Sequence, residues 1–248
     1  VYYNLYLDEK PFPISLGAKY YQRKYPNYVS ISSTTVTVTD KEIRPKDFNA
    51  INISAGWKYK FSQIYTDLSY NMLIKNYLDA YARTSQGEIS STIRNDLIHY
   101  LDLGFLTPLT NTNLMGLDAN FTLYSSNGST YDTTRLVYTP EYYAYYLLSL
   151  KPYTTFNMGD FNIAVFYSFL FRIFKERLAQ DSGGNYLTER QSDTEHTVGL
   201  SAKYPIVKSL SAVLGVSYLI ADSNMKYQEY IKYNFRILNI SLGLSFSY

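Results

Sequence analysis

Apolar and polar residues alternate along most of this chain, with the period of two that puts successive side chains on opposite faces of a β-strand. Ten stretches carry the pattern. Phe12, Ile14, Leu16, Ala18 and Tyr20 open it, and Ile51, Ile53, Ala55, Trp57 and Tyr59 continue it. The third to fifth run from Ile64 to Ile74, Leu97 to Phe105 and Met115 to Leu123. The seventh to tenth run from Phe161 to Ile173, Val198 to Ile206, Leu210 to Ile220 and Leu238 to Tyr248. The sixth, EYYAYYLLSL, is apolar on both faces; placing Tyr142, Ala144, Tyr146, Leu148 and Leu150 outside leaves Lys151 inside.

The connections alternate as well. Long polar stretches follow the odd strands: 23–47, 75–93, 126–140, 174–194 and 221–234. Short turns follow the even ones, around 61–62, 107–112, 153–158 and 205–208. Strands of a soluble sandwich average about 5–6 residues. The runs here are about twice that, which suits a tilted crossing of about 30 Å of hydrocarbon. The expected fold is all-β: a transmembrane antiparallel up-and-down barrel of about ten strands. The whole chain, 1–248, reads as a single domain with a short periplasmic N-terminal segment at 1–11. No linker, repeat or low-complexity tract divides it. The last strand is expected to close the barrel against the first, removing any edge from lipid.

Composition agrees. Tyr occurs 29 times, and aromatics make up 17% of the chain. Tyr has an apolar body and a wet tip, which suits a membrane interface. Outward rings fall at two heights. Phe12, Trp57, Tyr59, Phe105, Phe161, Tyr204, Phe246 and Tyr248 lie near the short turns, and Tyr20, Tyr142, Phe171 and Tyr218 near the long loops. The inward parity collects Lys19, Lys58, Lys60, Arg94, Lys151, Arg172 and Lys203 against Asp67, Asp96, Asp102, Asp118, Asp160 and Glu195. Near balance of charge points to a salt-bridged lumen, either filled or a narrow, charge-lined channel. The net charge of +2 argues against nucleic acid as a partner. The absence of Cys excludes disulfides and thiolate metal sites. No apolar run is long enough for a membrane helix, a test that a barrel escapes.

Candidate chemistry is sparse. Neither a nucleophile elbow nor metal-spaced His nor a phosphate loop occurs, so no cofactor, metal or catalytic residue is assigned. His99 falls on the outer parity of strand four. His196 lies at the rim beside Glu195 and near Asp193, where a carboxylate-oriented base would be needed for a hydrolase. A rim His meeting headgroups or solvent is the simpler account.

The final residues, SLGLSFSY, supply a resemblance. Polar Ser241, Gly243, aromatic Phe246 and the terminal aromatic Tyr248 resemble the C-terminal assembly signal of bacterial outer-membrane β-barrel proteins. The resemblance implies an exported, mature chain in the outer membrane of a Gram-negative cell envelope. It implies recognition of Phe246 and Tyr248 by the barrel assembly machinery. The expected function is a structural or anchoring barrel, or a narrow channel, in contact with membrane lipid and not an enzyme. The alternative is a surface adhesin or partner-binding barrel that uses its loops on a protein or glycan, and a hydrolase ranks third.

Overall fold

A computed structural model describes residues 2–6, 14–25, 46–132, 135–228 and 231–246. Among these, thirteen strands and no helix occur. They are β1 (Tyr2–Tyr6), β2 (Ile14–Arg23), β3 (Phe48–Phe61), β4 (Ile64–Arg83), β5 (Ile89–Pro108), β6 (Leu114–Ser126), β7 (Thr130–Asp132), β8 (Val137–Thr139), β9 (Tyr145–Met158), β10 (Phe161–Gln180), β11 (Tyr186–Val207), β12 (Leu210–Ser223) and β13 (Phe235–Phe246). Eleven strands form one sheet in the order β1-β2-β3-β4-β5-β6-β9-β10-β11-β12-β13. Strands β7 and β8 pair with each other inside the long connection from β6 to β9.

Every ladder in the main sheet is antiparallel and joins strands that follow one another along the chain, the small β7–β8 hairpin aside. The ten predicted strands are β2 to β6 and β9 to β13. The eleventh, β1, arises from the stretch expected to be a simple N-terminal segment. It runs back along β2, with Tyr2 opposite Lys19 and Tyr6 opposite Ser15. Phe12, Tyr248 and most of the first long loop, 26–45, lie outside the described residues.

Four strands are longer than a crossing requires: β4, β5 and β10 have 20 residues and β11 has 22. At about 3.3 Å per residue they extend well past about 30 Å of hydrocarbon. The ladders break at one height, between Asn76 and Tyr81 on β4 and between Ile173 and Leu178 on β10. Below these irregularities the outer face is apolar and open, with Ile51, Ile53, Leu101, Leu148 and Leu200 all exposed. A soluble sheet would bury such a face.

The sheet has two ends. No ladder joins β13 to β1 or β2 among the described residues. Leu242 is 82% exposed on β13, against 39% for Leu148 in mid-sheet, because no strand flanks it on the far side. The expected closure is therefore not made in this sheet.

The strands repeat. Residues 48–126 correspond in pattern to residues 145–223, at a constant offset of 97 (145 − 48). The starts of β3, β4 and β5 map onto those of β9, β10 and β11, and the end of β6 maps onto the end of β12. The ladder irregularity at Asn76/Tyr81 maps onto Ile173/Leu178. The turn residues Ser62 (φ 55°) and Gly159 (φ 62°) correspond, and so do Gly87 (φ 90°) and Gly184 (φ 85°). Even the cross-loop hydrogen bond from Leu78 N to Asp47 O has its counterpart, from Lys175 N to Ala144 O. Strand β13 then resumes the pattern. Its FRILNISLG matches the FNAINISAG of β3 at Phe, Asn, Ile, Ser and Gly. The chain is thus built on a repeating four-strand unit, contrary to the expectation of no repeat. Period-two reading missed it because it registers only whether a position is apolar, and few residues are identical between the units, among them Gly87/Gly184, Asp96/Asp193, His99/His196 and Asn127/Asn224.

A sheet with an open apolar outer face requires detergent or lipid. Unboiled protein in detergent should migrate on a gel differently from boiled protein. Equal mobility, together with solubility in plain buffer, would contradict a membrane-spanning sheet.

Candidate functional site

Two Asp sockets mark the loop end of the inner face. Asp96 on β5 has no exposed surface. Its carboxylate accepts from Arg94 Nε and Nη2, both at 3.1 Å. It also accepts from Tyr77 (2.9 Å), Tyr124 (2.6 Å) and Ser126 Oγ (2.5 Å). The Arg94 guanidinium lies between the Tyr77 and Tyr143 rings, at 4.4 and 4.3 Å from their centroids. A buried charge is tolerated when its lone pairs and partner are both satisfied, and this one is.

Asp193 is the counterpart in the second unit. It accepts from Arg172 Nε (3.1 Å), Gln191 Nε2 (2.9 Å) and Ser223 Oγ (2.8 Å). The supporting bonds repeat too. Asn127 Oδ1 receives Asn95 N and its amide donates to Ile93 O; Asn224 does the same with Ser192 N and Arg190 O. Where the first unit has Arg94, the second has Gln191, and its cation comes instead from Arg172. Sequence parity found Asp96, Arg94 and Arg172 but left Asp193 in a loop. The repeat offset from Asp96 would have found it.

Toward the short turns the inner face is roomier. A cavity of about 580 Å³ is lined by Lys58, Lys60, Tyr65, Asp67, Asp118 and Tyr153, among others. Lys58 and Asp67 form an exposed pair at 3.4 Å. Asp102 accepts from Asn120 (2.6 Å) and Ser69 (3.4 Å). Lys151 stands opposite Asp118 and over the Phe166 ring. Lys19, Lys203 and Glu195 share the inner parity, opposite Asn52, Val213 and Ala221. Asp160 is not on the inner face: it sits in the exposed turn between β9 and β10, where the strand has already ended.

On the outer face Trp57 stacks on Tyr59 at 5.6 Å, and Phe161 meets Tyr204 at 4.7 Å. Phe105 and Phe246 are exposed at the same end, and Tyr20, Phe171 and Tyr218 at the other. Gly243 is open, with nothing within 4 Å of the point where a Cβ would stand. Tyr142 departs from this set. Strand β9 begins only at Tyr145, so Tyr142 falls in the preceding turn and packs on Arg177.

Both His residues lie on the outer face. His99 Nδ1 meets Tyr70 OH at 2.6 Å, and His196 Nδ1 meets Tyr167 OH at the same distance. The two pairs are again repeat counterparts. By strand parity Glu195 and Asp193 face the opposite side from His196, so the carboxylate-oriented base is not assembled. No group of three metal-ligating side chains occurs among the described residues.

Above the sockets lies a second cavity of about 200 Å³, formed by the β7–β8 connection, the β10–β11 hairpin and the chain after β12. Arg135 donates to Asp132 and Thr139 and covers the Tyr186 ring at 4.3 Å. Arg177 donates to Tyr233 OH (2.5 Å) and lies over Tyr142 (4.6 Å) and Phe174 (4.8 Å). Burial pushes the Tyr142 and Tyr186 phenols up, and Asp132 reinforces this at Tyr186. Asp181, in the hairpin tip, is held down by hydrogen bonds from Asn185.

No model of a known protein family matches the sequence, and no curated protein matches it. Among solved structures the sheet is similar to the copper transporter OprC, with a TM-score of 0.52 and 9% identity. That alignment covers 96% of this chain and 38% of the other. The siderophore receptor PiuA from Acinetobacter baumannii aligns over 94% of this chain and 42% of its own, with a TM-score of 0.43 and 11% identity. The chain spans less than half the length of either. The likeness to the first shows the fold alone: an all-β, antiparallel up-and-down sheet of the outer-membrane barrel kind.

Proposed function

We propose that this chain is an integral barrel of the bacterial outer membrane, inserted as a mature protein with its long loops outside. Its role is structural: an anchored scaffold whose lumen is stoppered at the loop end. The observation that carries this reading is the fully buried Asp96 carboxylate, with its five donors, at the height where the sheet leaves the membrane. A satisfied network of this kind is rigid and costly to open. The polar space below it, around Lys58 and Asp118, is then a vestibule rather than a through-channel.

Closure follows from the same reading. An edge strand in hydrocarbon would leave several backbone groups unpaired at a cost of kcal/mol each. The far edge of β13 is one such row. The edge of β2 along which the short β1 runs is the matching one at the other end of the sheet. Pairing of β13 with β2 in place of β1 gives a ten-stranded barrel. Membrane lipid and the assembly machinery are its partners, with Gly243, Phe246 and Tyr248 as the recognised signal. A second reading, a barrel that binds a protein or glycan through its loops, is favoured by the loop-end cavity around Arg177.

In planar bilayers the protein should give no stepwise conductance. Openings in the unaltered protein that vanish in Lys58→Gln or Asp118→Asn would replace the stoppered scaffold with a charge-lined channel. Asp96→Ala strands the Arg94 cation, at a cost of about 3–5 kcal/mol. It should lower the urea midpoint of the refolded protein. Asp193→Ala should cost less, because Arg172 is the more exposed cation and regains water.

A further inference from the structure

The two units differ in the charge they carry above the sockets. The first-unit counterpart of Arg177 is Ala80, a small buried residue. Arg94, Arg135 and Arg172 each have a carboxylate in contact. Arg177 does not: among the described residues no carboxylate lies within ion-pair distance of it, and its buried Nε–H has no hydrogen-bond partner. That Nε–H is shut in, so it is the Nη end of the guanidinium, which also donates to Tyr233, that can face a ligand. A half-buried cation without a counter-charge is costly. Arg177 lines a cavity of about 200 Å³ whose other walls include Tyr142, Tyr186, Tyr227, Tyr233 and the Asp132–Arg135 ion pair. Tyr227 is fixed there because its ring packs on Gly184, where a Cβ would approach it to 3.2 Å.

We propose that this cavity binds a small organic anion, of the class of one acidic sugar, with Arg177 as its charge partner. The planar guanidinium offers a carboxylate or phosphate paired N–H donors. Flat tyrosine rings offer apolar contact to a sugar ring and hydroxyls to its oxygens. The cavity volume admits one such ring and excludes a folded partner. This rests on the loop-binding reading and gives it a ligand class. The acidic sugar could arrive free or as the end of a polyanionic glycan, and both present the same group.

The test is calorimetric titration of the refolded full chain in detergent with glucuronate, glucose 6-phosphate and neutral glucose. Both anions should bind at least tenfold more tightly than glucose, and more weakly as salt rises. Arg177→Gln should lose tenfold or more in anion affinity, Arg177→Lys should recover part of it, and Lys60→Gln in the vestibule should leave it unchanged. Heat-dependent gel mobility verifies that each variant is folded. Absent anion binding, equal binding of glucose, or unchanged affinity in folded Arg177→Gln would overturn the site. A uronate polymer that competes with glucuronate identifies a glycan end as a source, and failure to compete restricts the site to free acids. Binding in detergent without binding on intact cells would overturn the outward placement of the loops and leave the site standing.

Discussion

Every backbone N–H and C=O inside hydrocarbon must find a partner within the protein. In the proposed membrane setting that constraint organises this molecule. The chain meets it with one continuous antiparallel ladder of neighbouring strands, and β13 stands at an open end of that ladder. Side chains then sort by parity. Leucines, isoleucines and aromatic rings turn outward, and the inner face receives the charges. At the loop end of the inner face, Asp96 with Arg94 and Asp193 with Arg172 are held inside hydrogen-bond sets.

The Asp sockets show how such a set is made durable. Each combines a carboxylate, a cation and a Ser from the next strand, and an Asn one residue later that caps two backbone groups. The first unit places the cation two residues before the Asp, as Arg94. The second takes it from the neighbouring strand, as Arg172. Charge balance is preserved although the residue supplying it has moved. Arg177 falls outside this balance, which is why it stands out physically rather than by motif.

Ten of the eleven strands of the main sheet, their direction and the alternation of long and short connections were legible in the sequence, because period two survives almost any apolar exchange. Parity also set Asp96 with Arg94 and Lys58 with Asp67 on one face, as the pairs they form require, and His99 on the other; His196 read only as a rim residue. Three features of the site were not legible. Tyr142 reads as strand because its neighbours are aromatic on both faces, and nothing local marks the turn at Glu141. Asp193 reads as loop because its strand extends beyond the membrane, where polar residues occupy both faces. The loop-end cavity depends on three connections meeting in space, and no spacing along the chain encodes that meeting.

Strand β13 repeats the residues with which β3 begins a unit. The sheet is therefore modular, counted in blocks of four strands. Adding or removing a block of four antiparallel strands leaves the direction of every other strand unchanged. It also leaves the inward and outward parity of every other strand untouched. Sheet width in such an architecture can change in large steps while the local packing rules at each ladder stay the same.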